Sequence, residues 1–318
     1  MFPPAMTYAA IAREEAAIVE RTGLLGEGGA WAGRQVVARF FIEGFGTAEQ
    51  RDRWRAQLAS VAISEPRVGA HPKLLTTLAR EVGDGYCISG EKAWVTNGPL
   101  AAVFIVFAIT ATEAGRKRYS AFLVPRDTPG LSIDEAAQYR ALAPSRHCGL
   151  KLDGCQVPRS ALLGPPGNGY EAMALPFRDV EDAVGTFGLL GAFRYLLRRF
   201  AQSGAADDDA ALSLGRLVAL TAVIAETAEA VVAALDAGEL PRRAAALVGL
   251  RVLTADMLQH ARAHRDAFAP AADGAIERVF ADIELSLSVA RGPRTARQAR
   301  LGRERIAAAA PQCARIGV

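Results

Sequence analysis

Apolar and polar positions change rhythm twice along the chain. Over residues 7–58 the apolar residues Ala9, Ile11, Ala12, Ala16, Ile18 and Val19 keep a broken three-to-four spacing, which predicts helix. Gly23 suits the stop of that helix, and Thr47 suits the N-cap of another, with Glu49 and Gln50 in its first turn. Residues 60–165 predict strands. Gly83-Asp84-Gly85 and Ser89-Gly90 read as turns on either side of Tyr86-Cys87-Ile88. Residues 93–96 form the next strand, and 103–109 form an apolar, β-branched run suited to a buried one. Residues 119–124 follow, then a turn at 127–130, and 150–152 read as the last strand. From Asn168 the pattern is helical again. Residues 170–200 carry a break near Pro176, and 210–235 place Leu217, Leu220, Ile224, Val231 and Leu235 on helical spacings. Gly204 to Asp209 reads as a loop, Gly238 and Pro241 as punctuation, and Gly292-Pro293 as the boundary before the last of two or three further helices. Helices, a compact β unit and a helical bundle make an α+β chain.

Composition narrows the class. With 51% hydrophobic and 22% charged residues over 318 positions, the chain is neither disordered nor too short for a sizeable core. Four cysteines (Cys87, Cys148, Cys155 and Cys313) are too sparse for a disulfide scaffold. A net charge of +3 does not argue for nucleic acid, and no unbroken apolar run approaches the ~20 residues of a membrane span. The N-terminus lacks a basic flank before an apolar core, and Glu14, Glu15 and Glu20 are unlike a transit peptide, so the expected location is cytoplasmic. Six arginines recur between 291 and 305, which reads as a solvated terminal helix or a subunit contact ahead of a phosphate-binding surface. His260 and His264 share a helix face without a third ligand nearby, and His147-Cys148 lacks an orienting third group.

A set of ordered segments between residues 46 and about 191 resembles the acyl-CoA dehydrogenase family. Gly46-Thr-Ala-Glu-Gln-Arg-Asp-Arg-Trp54 is similar to the helix leading into that family's β domain, and Ala62-Ile-Ser-Glu-Pro66 to its first flavin segment. Asp84-Gly-Tyr86 and Gly90-Glu-Lys-Ala-Trp-Val-Thr-Asn-Gly98 are similar to the second. Ser120-Ala-Phe-Leu-Val124, Thr128-Pro-Gly130, Val157-Pro158, Leu162-Leu-Gly164 and Gly167-Asn-Gly-Tyr170 continue the order. The resemblance implies a shortened N-terminal helical segment (1–59), a central β-barrel-like domain with the flavin and acyl-CoA contacts (60–166) and a C-terminal α-helical bundle (167–318). It implies FAD as cofactor and α,β-dehydrogenation of an acyl-CoA thioester. By the same resemblance, Trp94 faces the flavin, Thr96 offers its hydroxyl near N5, and Ser64 with neighbouring Ile63 meets the pyrimidine end. In one branch of the family the base lies on the first bundle helix, before a Gly-x-x-Gly. Arg178-Asp179-Val180-Glu181, with Gly188-Leu-Leu-Gly191 behind it, matches that place and makes Glu181 the candidate base. The bland alternative is a solvated acidic face formed by Asp179, Glu181 and Asp182, and Glu171 is a substitute.

The segment Glu65-Pro-Arg-Val-Gly-Ala-His71 departs from the family's Glu-Pro-Gly-x-Gly-Ser-Asp. Ala70 stands where a serine meets the FAD pyrophosphate, and Arg67 and His71 could restore a cationic contact there. The stretch 199–214 lacks the family's Arg-x-x-Phe-Gly and Phe-Gln, and only 45 residues precede Gly46. These departures keep two other readings open: a non-catalytic or FAD-sharing subunit of a hetero-oligomer, and a flavin monooxygenase of the same fold. Expected partners are an acyl-CoA substrate, an electron-transferring flavoprotein, and either a second copy or a related subunit. Neither nucleic acid nor a membrane span is expected.

Overall fold

The computed structural model describes residues 6–135, 141–202, 207–269 and 274–309. Cys313 and residues 204–206 of the expected 204–209 loop lie outside them, and Asp208 and Asp209 are corrected to the first turn of a helix that Asp207 caps. The chain forms two compact units, Met1–Tyr195 and Leu196–Val318.

The first unit opens with α1 (Tyr8–Thr22) and α2 (Leu25–Val37). Thr7 caps α1 by accepting from the Ala10 N–H, and Gly23 ends it in the left-handed region at φ 70°. A π-helical turn, Ala38–Glu43, extends α2 and sends Phe41 into the core with the half-buried Phe40 beside it. Helix α3 (Ala48–Trp54) starts on a reciprocal box in which Thr47 and Gln50 satisfy each other's backbone N–H.

Eight strands follow: β1 (Ala59–Ala62), β2 (Leu78–Val82), β3 (Gly85–Thr96), β4 (Val103–Glu113), β5 (Arg116–Pro125), β6 (Leu131–Asp134), β7 (His147–Pro158) and β8 (Leu162–Leu163). They form one mixed sheet in the order β6-β7-β3-β2-β4-β5-β8, with β1 beside β4. Strands β1 and β2 both run parallel to β4, and the other pairs are antiparallel. Strand β4 is buried from Val103 to Ile109, as its unbroken apolar run requires.

The Ser89-Gly90 turn is corrected. Strand β3 runs straight through it, with register shifts at Ile88/Gly90 and at Lys92/Val95. Gly90 has φ 148°, and a Cβ there would lie 2.6 Å from the Thr77 hydroxyl, so the glycine serves a bulge and a close approach instead. The last strand, expected at 150–152, is also corrected: β7 runs from His147 to Pro158, and β8 follows it.

A π-helical turn at Tyr170–Ala174 leads directly into α4 (Leu175–Ala201), and Pro176, which has no N–H to donate, sits at their junction. Phe177 packs against Phe41, with ring centroids 4.6 Å apart. Helix α1 crosses α4 closely: a Cβ on Gly191 would lie 2.4 Å from the Ala16 carbonyl oxygen. Glu15 is trapped at this crossing, 4% exposed, and burial pushes its carboxyl up to about 8. Between the ordinary carboxylate range and that value, the folded chain holds a proton that the unfolded chain has released. The contribution of Glu15 to stability is therefore full below about pH 4.5 and falls as pH rises to about 8, by up to ~1.4 kcal/mol per pH unit. Denaturant melts from pH 5 to 9 should show this decline, and Glu15→Gln should remove it.

The second unit holds the end of α4 with α5 (Asp208–Asp236), α6 (Ala244–Phe268), α7 (Gly274–Ser288) and α8 (Arg291–Ala309). Helix α5 packs along α6, and Asp207 caps α5 through the Ala210 N–H. By length and composition α5 could cross a bilayer, with a mean hydropathy of 1.8 and a third of that window buried in the chain. A helix from a protein core passes the same test, so this does not overturn the expectation that no span is present. Arg216, Glu226 and Glu229 interrupt the apolar run but are too few to make the helix polar. His264 is buried between Phe200 and Phe268, with Nδ1 3.0 Å from the Ser213 hydroxyl. None of the residues of α8 is buried.

Candidate functional site

After β1 the chain leaves the sheet at Ile63 and folds back along β3. The Ala93 N–H donates to the Ser64 carbonyl (2.9 Å), and the Lys92 ammonium donates to the Ile63 carbonyl (3.2 Å). Ile63 and Ser64 therefore lie alongside β3 at Lys92 and Ala93, just before Trp94.

Trp94 has φ 60°, on the second register shift of β3. A left-handed backbone is unusual for a bulky residue and marks a conformation imposed by its surroundings. It leaves the indole 42% exposed. Thr96 is exposed two residues later. Asn97, also left-handed at φ 60°, fixes the strand's exit by donating its side-chain amide to the Ala30 carbonyl on α2 (2.8 Å).

Beneath this surface lies a buried polar knot. Glu65 accepts from the backbone N–H and the hydroxyl of Thr76 (2.7 and 2.8 Å) and of Thr77 (2.9 and 2.6 Å). It also meets the Lys92 ammonium at 3.0 Å, with both side chains nearly inaccessible. Burial alone would raise the Glu65 carboxyl, but the Lys92 charge and the threonine hydrogen bonds outweigh it and hold the group down at about 2. Burial pulls the Lys92 ammonium down to about 8, against the carboxylate charge that favours it. The pair was not readable from sequence, because its members are 27 positions apart.

The knot anchors a tight loop. Glu65 and Gly69 exchange backbone hydrogen bonds of 3.0 Å, and Arg67 sits at the tip with φ 65° and an exposed side chain. The Tyr170 hydroxyl donates to the Ala70 carbonyl (2.6 Å), and the Tyr119 hydroxyl to the Pro72 carbonyl. Lys117 donates to the carbonyls of Lys73 and Leu75. The loop is thus braced from several sides while Arg67, His71 and Lys73 face outward, so it presents two cations and an imidazole on a fixed backbone. Such a surface suits an anionic group.

On α4, Glu181 is exposed, Asp179 half-buried and Asp182 buried. Glu171 is exposed on the π-helical turn before α4. The solvated reading of the acidic cluster therefore fits Glu181 but not Asp182. Phe177, one turn earlier, holds this part of α4 against the core. Cys148 is buried, and burial raises its thiol to about 11, so it stays protonated at neutral pH. No cluster of three metal-ligating side chains occurs among the described residues.

Residues 60–155, which contain the knot, the braced loop and Trp94, match the family model described as acyl-CoA dehydrogenase, middle domain. Over this region the chain is similar to the acyl-CoA dehydrogenase family. The mouse mitochondrial short-chain specific acyl-CoA dehydrogenase is 36% identical over 133 residues, 40% of this chain and 32% of that protein. The chain thus matches about a third of the length of such curated relatives. The acyl-CoA dehydrogenase fold extends further than this sequence match. Butyryl-CoA dehydrogenase of Megasphaera elsdenii superposes with a TM-score of 0.81 at 18% identity, over 92% of this chain and 81% of that one. A structure described as the FAD complex of PigA also reaches 0.81, at 19% identity, over 93% and 83%.

Proposed function

We propose that this chain is an acyl-CoA dehydrogenase family member and carries out flavin-dependent α,β-dehydrogenation of an acyl-CoA thioester. The observation that carries the reading is Trp94, held half-exposed on a left-handed bulge of the strand that Ser64 pairs with, with Thr96 following on the same strand. A planar aromatic ring fits that surface. The indole supplies a stacking face, the Thr96 hydroxyl a hydrogen bond at the ring edge, and Ser64 with Ile63 a polar and an apolar contact at the other end. Arg67 and His71 take the pyrophosphate in place of the serine missing at Ala70. FAD, when bound, supplies the acceptor for the β hydride and can pass its electrons to an electron-transferring flavoprotein.

The chain's own residues do the rest. Glu181 removes the α proton onto its carboxylate as the α,β double bond forms. Hydrogen-bond donors at the thioester oxygen stabilise the charge that develops there.

The test is a titration of FAD into the purified chain, followed by flavin fluorescence. Micromolar binding supports the reading. Trp94→Ala should weaken it by up to about tenfold without changing the melting temperature, since one stacked aromatic contributes ~0.5–1.5 kcal/mol. Absence of FAD binding, both alone and with a related subunit, would sink it.

A second reading is favoured by Ala70, which brings no hydroxyl to the loop and whose carbonyl Tyr170 occupies. In that reading the chain shares FAD with a related subunit. FAD would then bind only after the two chains are co-purified.

A further inference from the structure

The first unit contains two helix faces stripped of side chains, and both end at one buried carboxyl. On α4, Gly185 lies one turn beyond Glu181 on the same face, and a Cβ placed there meets nothing within 4 Å. Gly188 follows on that face, two turns and about 10 Å beyond Glu181. A Cβ on Gly188 would lie 2.5 Å from the Glu15 Oε1. On α2, Gly29 and Gly33 are one turn apart. Their nearest neighbours are the Glu15 Oε1 and the Asn97 amide nitrogen, each 3.9 Å from the ideal Cβ position. One bare strip thus leads from Glu181, and the other from the end of the Trp94 strand. Glu15 closes both. Its Oε2 is buried with no hydrogen-bond partner, and a carboxyl left so costs stability unless something binds it.

We propose that Glu15 is the distal contact of the acyl pocket. Its carboxyl hydrogen-bonds a polar group, such as a hydroxyl or carbonyl, at the far end of the acyl chain, so that the substrates are polar-ended acyl thioesters and not plain alkyl ones. The inference rests on the reading of Glu181 and Trp94 as the reacting site. Burial keeps Glu15 protonated at neutral pH, so it can both donate to and accept from a neutral partner. Gly185, Gly29 and Gly33 leave room beside their helices, while the place beside Gly188 is filled by Glu15 and Leu25. One polar contact at that end sets specificity more sharply than added apolar surface does.

The experiment measures dissociation constants of the full-length, FAD-supplemented chain for ω-hydroxyacyl-CoA esters of graded length, each paired with its alkyl counterpart. At the best length the hydroxy ester should bind at least about tenfold more tightly. Glu15→Gln, which keeps a donor and an acceptor, should retain most of that preference, and Glu15→Leu should abolish or reverse it. Equal binding of each pair, or a preference that survives Glu15→Leu, overturns this inference while leaving the dehydrogenase reading intact. Failure of every ester to bind overturns both.

Discussion

Glu181→Gln should keep FAD loading unchanged and slow flavin reduction by substrate about 10²–10⁴-fold, the usual contribution of a positioned general base. The substitution preserves shape and hydrogen bonding but removes the only lone pair basic enough to take the α proton. Glu181 is exposed in the free chain, so the amide creates no buried unpaired group and should leave the melting temperature alone. Reduction after rapid anaerobic mixing is the direct readout. Glu181→Asp should retain part of the rate, since it shortens the reach without changing the chemistry. Glu171→Gln should be nearly silent. If Glu171→Gln instead loses the rate and Glu181→Gln keeps it, the proton acceptor lies before α4 and not on it.

Lys92→Met is expected to destabilise the chain by about 3–5 kcal/mol, because it strands the Glu65 carboxylate without its countercharge. The threonine donors remain, so the loop is weakened and not erased. Pairing Lys92→Met with Glu65→Gln should recover part of the loss, as removing both charges of a buried pair costs far less than removing one. Thermal melts of the three variants measure the coupling. FAD affinity should fall with Lys92→Met by more than stability alone explains, because the knot also holds Ile63, Ser64 and the Arg67 tip in place. The Glu65 contribution is present above the ordinary carboxylate range and is lost as pH falls towards about 2. Acid melts of wild type should reflect that loss, and Glu65→Gln should show less of it.

How legible these features were depends on how local their causes are. Gly23 and Thr47 were readable because a helix end is decided by a few neighbouring residues. Ordered motifs singled out Trp94, Thr96 and Ser64, and Ser64 pairs with the strand that carries the other two. The left-handed backbone at Trp94 was not, since positive φ is a signature of glycine and asparagine, and here tertiary packing imposes it. Ser89-Gly90 carries turn chemistry but serves a strand bulge, because the glycine is needed for the approach of Thr77. Glu15 looked like one of several helix acids. Its burial follows from Gly28 and Gly188 on two other helices, which no local pattern reveals. Asp182, grouped with the surface acids, is likewise buried by the packing of α4.

The most direct test mixes the FAD-loaded chain anaerobically with a panel of acyl-CoA esters and follows the visible flavin band. The account predicts bleaching with at least one ester, recovery of an α,β-unsaturated thioester, and release of the substrate's α hydrogen to solvent. A chain that binds both FAD and esters, yet keeps its flavin oxidised with every member of the panel, would contradict it.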